Sequence, residues 1–344
     1  MTMRQISDTA IILAIAAVGA AIATLIGFPA PFLTGPAAAV SLAGVAGARL
    51  TLPMPLVNFA LIMIGMSIGT GVTPEVIDTA RQWPASFIVL ALSLVVIMIA
   101  TSRYLMRIHG YDRNTALLSA APGHLSYVLS LSSDLDADIR RVSIVQSIRV
   151  LAITLIVPVA ITAMGGSTDL PPTALATMEP LAIVLIFVAS LATGLVFKKL
   201  RVPAALLIGG MVVSTFTHLT GFVSGVMPNW LQMPAFLVMG AMIGSRFSGV
   251  TPQMLKSSVT AGVAITVLAT ALAAAFAAII AISLGLPMTQ VLIAFVPGGV
   301  EAMVAMAVLL DADPAFVAAH HVMRLFILTA LVPLLLGRQK KPKT

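Results

Sequence analysis

The chain contains no cysteine, so it has no thiolate metal site, and a redox compartment cannot be read from it. Its five histidines are too few and too scattered for a copper or di-iron enzyme. No P-loop, Ser/His/Asp set or HExxH helix is present, so no enzyme and no cofactor is indicated. Charge is scarce as well. Asp, Glu, Lys and Arg make up 9% of the residues, against about a quarter in soluble proteins. The net charge of +7 raises the question of nucleic acid. The basic residues, however, stand in short gaps between apolar runs and form no basic domain, which excludes that partner and points to the positive-inside rule.

What fills the chain is apolar. Hydrophobic residues are 59% of the 344, and the mean hydropathy is +1.09. Runs long enough to be membrane spans fall at about 9–27, 33–50, 54–71, 84–105 and 139–163, then at 178–197, 204–219, 230–245, 258–284 and 315–336. Prolines mark the joints, among them Pro29, Pro53, Pro84, Pro171, Pro203, Pro228 and Pro287. The start resembles a signal peptide, with Arg4 before an apolar run. The run is long, and its counterpart at 178–197 is internal, so we expect it to stay in place as a span.

The second half restates the first. Ala121-Pro122-Gly123-His124-Leu125-Ser126 returns as Val296-Pro297-Gly298-Gly299-Val300-Glu301, a step of 175 residues from Pro122 to Pro297. The same step carries Asp136 and Asp138 onto Asp311 and Asp313, Arg149 onto Arg324, and Pro158 onto Pro333. A duplication of this length fits a membrane transporter and not a solenoid.

Each Pro-Gly motif lies in a further apolar segment, at about 114–132 and 289–309, and charge decides whether it crosses. If it enters and returns to the same face, each copy has five spans and the second copy is inverted. Sixteen of the nineteen Lys and Arg then lie inside and Arg81 alone outside, with Arg149 and Arg324 within spans. If it crosses, the linker 165–177, which has no Lys or Arg, would face the cytoplasm. The expectation is therefore an all-α polytopic membrane protein made of two inverted repeats. Each has five transmembrane helices plus one re-entrant segment; a broken helix that crosses is the alternative. Repeat 1 spans 1–164 and repeat 2 spans 178–337. They are joined by an external linker at 165–177 and followed by a basic cytoplasmic tail at 338–344. Both termini are inside, in the inner membrane of a bacterium.

Paired helix breaks in corresponding positions point to a binding site at midplane. Arg149 and Arg324 each follow the helix-starting Asp138 or Asp313 by 11 residues, roughly 16 Å along a helix. An arginine at that depth must face the interior. It can bind backbone carbonyls of the broken segment, or the pair can recognise an anion through the forked guanidinium. One turn earlier stand Gln146 and His321, the latter either a packing residue or a proton carrier. Glu301 replaces Ser126 and is an acid within the second segment; it is a counter-ion to an arginine or the site of a coupling H+ or Na+. His124 stands where copy two has Gly299. Asp138 and Asp313 read as helix N-caps. Gly65 and Gly69, repeated as Gly240 and Gly244, read as close helix packing.

The duplicated unit, with Pro-Gly-Gly-Val-Glu-Ala-Met at 297–303, resembles the bacterial membrane AbrB family, whose members are often labelled ammonia monooxygenase or AbrB-like regulator. Copy one departs from that pattern in Pro122-Gly123-His124-Leu125-Ser126. The resemblance implies membership of the cation/proton antiporter and anion transporter superfamily, and some relatives there have inverted five-span repeats with glycine-rich re-entrant hairpins. The monooxygenase label implies metal ligands that the chain lacks.

The expected function is secondary active transport of a small organic anion, coupled to H+ or Na+. Arg149, Arg324, Pro122, Gly123, His124, Ser126, Pro297, Gly298 and Gly299 would bind substrate, and Glu301, His321 and Gln146 would serve the coupling ion. A homodimer in the lipid bilayer is expected. A passive channel for a solute such as ammonia, and a membrane ligand sensor, are the other readings.

Overall fold

The computed structural model describes residues 3–70, 83–122, 125–165 and 176–336. Among them are fourteen α-helices and no strand, apart from an isolated bridge between Thr177 and Val226. The chain is an all-α polytopic membrane protein. Six helices are long and apolar enough to cross a bilayer: α1 (Met3–Leu25), α4 (Trp83–His109), α7 (Ile139–Ala163), α8 (Pro180–Lys199), α11 (Pro252–Leu284) and α14 (Pro314–Leu336). Four others are shorter: α2 (Pro31–Val45), α3 (Met54–Thr70), α9 (Ala205–Leu219) and α10 (Asn229–Ser245). The remaining four, α5 (Arg113–Ala120), α6 (Leu125–Asp134), α12 (Met288–Phe295) and α13 (Val300–Leu309), are the halves of the two broken segments.

Several element bounds differ from the apolar runs, and two of them have a local cause. The run 33–50 stops being helical at Val45, because Ala46 caps the helix and Gly47 turns left-handed at φ 102°. The run 258–284 begins earlier, at Pro252, where Thr251 Oγ1 accepts from the Met254 amide and proline occupies the first turn.

The repeat is visible in the element bounds. Helices α5, α6 and α3 return as α12, α13 and α10 at a step of 175, whereas α2 returns as α9 at 174. The helices sort into two bundles that each draw on both copies. Helices α1–α3 pack with α8–α10, and α4–α7 pack with α11–α14. In the first bundle the partners are exchanged between copies. A Cβ on Gly65 of α3 would lie 2.1 Å from the Leu207 carbonyl of α9, and one on Gly240 of α10 would lie 2.3 Å from the Leu33 carbonyl of α2. Backbones meet at these glycines, so the small-residue motifs are the seams of the bundle.

Hydrogen bonds fix the course of the broken segments. At the start of α5, Asn114 Nδ2 donates to the Leu135 carbonyl and Thr115 Oγ1 accepts from the Asp138 amide. The segment therefore leaves and returns at one level, as a re-entrant hairpin. Contacts of Gln146 with Leu118 and of Arg149 with Ala121 place α5 parallel to the following helix α7. His321 with Ile293 and Arg324 with Val296 give α12 and α14 the same register. Arg113, at the mouth of the first hairpin, donates to the carbonyl of Leu335 at the far end of α14. The two hairpins thus enter from opposite faces, and the copies are inverted.

Both hairpins end in an aspartate in the left-handed region, Asp136 at φ 51° and Asp311 at φ 50°, a conformation that Asp tolerates better than most residues. The next aspartates cap α7 and α14. Asp138 Oδ1 accepts from the amides of Arg140 and Arg141, and Asp313 Oδ1 from those of Ala315 and Phe316.

Candidate functional site

The hairpin tips leave carbonyls at the ends of α5 and α12 that no further helical turn can satisfy. Inside a membrane protein these need partners. Arg149 and Arg324 supply them, and both are buried, at 3% and 1% exposure. Arg149 donates through Nη1 and Nη2 to the Ala121 carbonyl, 3.3 Å in each case. Arg324 donates through Nη1 to Val296 at 2.9 Å and through Nη2 to Gly298 at 2.7 Å. Ala121 and Val296 are equivalent positions. Cation and helix C-terminus also attract each other through the helix dipole.

Each arginine is held by the residue one turn before it. Gln146 Nε2 donates to Leu118 and Ala121 at 2.9 and 2.8 Å, and its Oε1 accepts from Arg149 Nη2. In the second copy His321 Nε2 donates to the Ile293 carbonyl at 3.0 Å, and its Nδ1 accepts from Arg324 Nη2. Both ring nitrogens of His321 are thereby used as those of a neutral imidazole protonated on Nε2. His320 lies apart from the tip contacts. Its Nε2 is 2.6 Å from Ser86 Oγ of α4, and its ring stacks on Phe316 with centroids 3.9 Å apart.

The second tip is complete in outline. Pro297 and Gly298 are buried, the Gly298 amide donates back to the Val296 carbonyl at 2.8 Å in a tight turn, and Gly299 then precedes α13 with no side-chain cap. A Cβ on Gly298 would lie 2.6 Å from Met303, so the turn folds directly onto the first turn of α13. Glu301, half-buried in that turn, brings Oε2 back over Gly299, 3.6 Å from where a Cβ would stand. In the first tip Pro122 is buried. Gly123 and His124 lie outside the described residues, as does the side chain of Ser126.

One of the sixteen basic residues expected inside belongs here. Arg246 follows the last turn of α10 and is half-buried. Its neighbour Phe247 is buried in a cluster with Ile144 and Ile148 of α7, which sets Arg246 at the depth of the residues just before Arg149. It interacts electrostatically with Glu301 and with Arg149, and Arg149 in turn with Arg324. Among the described residues Arg246 has no hydrogen-bond partner for its side chain and no carboxylate within 4.0 Å. One signal in the sequence bears on it. Arg246 breaks the repeat, since the equivalent position in copy one is Gly71.

Arg324, Arg149 and Arg246 thus form a chain of interacting cations, with Glu301 acting on the last of them. The Nε–H of Arg149 and that of Arg324 are buried without a partner among the described residues. No group of three or more His, Asp or Glu is placed to hold a metal among those residues.

Comparison with known proteins bears on the whole chain. A family described as Transition state regulatory protein AbrB matches residues 32–338. The chain belongs to the AbrB family. The Bacillus subtilis (strain 168) protein named Uncharacterized protein YhjN is 26% identical over 294 residues, covering 79% of this chain and 75% of its own length. The Escherichia coli (strain K12) protein named Putative regulator AbrB is 32% identical over 126 residues, 36% of this chain and 35% of its own length. No solved structure matches. This AbrB-family chain is a multi-pass membrane protein with a transporter-like arrangement of helices.

Proposed function

We propose that this AbrB-family protein is a secondary active transporter for a small organic anion, accepted at midplane between the two hairpin tips. The observation that carries the reading is the charge balance there. Arg149 interacts electrostatically with both Arg246 and Arg324, and the carboxylate that offsets this charge, Glu301, acts through Arg246. Buried charge without compensation is costly, and an anion would complete the balance. The hairpin carbonyls already occupy much of Arg149 and Arg324, so these two would hold the tips in shape and offer their spare Nε–H groups. The tip residues Pro122, Gly123, His124, Ser126, Pro297, Gly298 and Gly299 would shape the substrate's cradle. Glu301 would carry the coupling H+ or Na+. His321 and Gln146 would serve it through the arginines that they orient.

Alternating access would follow from movement of the hairpin bundle, α4–α7 with α11–α14, against the other. The remaining assignments belong to the same proposal. They are repeats at 1–164 and 178–337, an external linker, cytoplasmic termini, the bacterial inner membrane, the wider anion transporter superfamily and a homodimer.

The test is uptake into proteoliposomes of labelled acetate, succinate and citrate under an inward Na+ gradient or an inward H+ gradient. Saturable accumulation against the anion gradient, abolished when the coupling gradient is collapsed, is the expected result. Flux that does not saturate and needs no gradient would replace the transporter with a channel. Binding without flux would replace it with a sensor.

A further inference from the structure

The three arginines near the tips are not equivalent, and their contacts separate their roles. Arg149 and Arg324 spend their terminal nitrogens on the carbonyls of Ala121, Val296 and Gly298 and on Gln146 and His321. A guanidinium bound in that way cannot turn its fork toward a ligand without unmaking the hairpin tip. Arg246 makes no such contact among the described residues, and it is half-buried where the other two are enclosed. It stands on α10, in the bundle opposite the hairpins, and α10 packs against both α13 and α7. Across that boundary lies the uncapped start of α13, with Glu301 folded back over Gly299. The asymmetry between the copies points to the same place. Glu301 and Arg246 occur together in copy two, whereas copy one has Ser126 and Gly71 at the equivalent positions.

We propose that Arg246 is the residue that contacts the substrate carboxylate, and that Glu301 is its internal competitor, a nearby negative charge that a carboxylate substrate must approach to reach Arg246. This rests on the anion-transport reading and goes further, since it assigns recognition to a residue from the opposite bundle. A substrate held by Arg246 on one side and by the hairpin tip on the other bridges the two bundles. An arginine can meet a carboxylate with two parallel hydrogen bonds, whereas a lysine offers a point charge, so the two residues should differ in affinity. Removing the competitor should strengthen binding, because the substrate carboxylate then no longer meets the repulsion of an internal carboxylate beside Arg246.

The experiment is calorimetric titration of the detergent-solubilised full-length protein with acetate, succinate and citrate. Wild type is compared with Arg246→Gln, Arg246→Lys and Glu301→Gln. For whichever carboxylate binds wild type, Arg246→Gln should weaken binding by about thirtyfold or more, the scale for truncating one partner of a close charge pair. Arg246→Lys should fall between the two, and Glu301→Gln should bind more tightly than wild type. These opposite directions keep the test valid even if Arg246→Gln does not fold. A structural role for both residues would weaken binding in every variant, and that result overturns the proposal. Carboxylate binding that persists unchanged in Arg246→Gln overturns it too, while leaving the anion reading in place. Failure of wild type to bind any of the three carboxylates overturns both.

Discussion

His321 makes for the second hairpin two of the three contacts that Gln146 makes for the first. Each donates to a carbonyl of the entering half-helix, Ile293 or Leu118, and each accepts from the terminal nitrogen of the arginine that follows it. An amide and a neutral imidazole both place one donor and one acceptor on a short planar group. The repeat itself therefore states which substitution should be accepted. We expect His321→Gln to fold with a Tm close to that of wild type. His321→Ala should lose about 2 kcal/mol or more, because Arg324 and the Ile293 carbonyl both lose a partner in a buried place. Thermal unfolding of the purified variants in detergent checks this. If His321→Gln were as damaging as His321→Ala, the equivalence of the two residues would be wrong.

Arg324 bridges two carbonyls, Val296 and Gly298, with two different nitrogens. A lysine has one nitrogen and cannot hold both with that geometry. Arg324→Ala should destabilise the protein by about 2 kcal/mol or more, because the buried Val296 and Gly298 carbonyls both lose their donor. Arg324→Lys should fall between this variant and wild type. Both losses should be present without any added anion, and backbone amides around 296–300 should exchange faster. Losses seen only when an anion is present would assign Arg324 to the ligand instead of the tip.

How far these features could be read in advance depended on the kind of residue that carries them. The inverted hairpins were legible because Pro122 and Pro297 break helices wherever they stand, and because the sixteen cations expected inside leave Arg81 alone outside. The caps were legible because Asp138 and Asp313 act on amides only two or three residues away. What Arg149 and Arg324 bind was not decidable. Their partners are backbone carbonyls, and a backbone carbonyl leaves no trace in residue identity. Arg246 was counted with the inside cations and not singled out, for a different reason. It follows an apolar run, as surface cations do, but the packing of Phe247 on α7 draws the end of α10 inward. That depth is a property of tertiary packing.

The glycine seams give a test of the first bundle. A Cβ on Gly65 or Gly240 would stand 2.1 or 2.3 Å from a carbonyl of the facing helix, so helices in contact along much of their length would have to separate. Gly65→Ala and Gly240→Ala should each cost about 1–3 kcal/mol, the usual cost of overpacking a tight interior. Gly299→Ala is the control, since its Cβ would find its nearest neighbour at 3.6 Å. Its Tm should match wild type. Equal effects at all three positions would argue that the seams are not close contacts.

Asp313 links the cap of α14 to pH. Burial raises its carboxyl pKa above the usual 3.8, and the Phe316 and Ala315 amides oppose that rise without cancelling it. The folded state therefore holds the Asp313 proton more tightly than the unfolded state does. The stability from this proton is fully present below about 3.8, the unfolded value, and is lost as pH rises through the raised folded value. Asn at this position keeps an oxygen for the Ala315 and Phe316 amides but carries no titrating proton. Asp313→Asn should match or exceed wild type at neutral pH, and its stability should fall less steeply as pH is raised above about 3.8. Asp313→Ala removes the cap and should lose about 1 kcal/mol at neutral pH. Chemical denaturation of the three proteins in detergent at a series of pH values separates the two effects. An Asp313→Asn variant with the wild-type slope would mean that the buried carboxyl does not contribute to it.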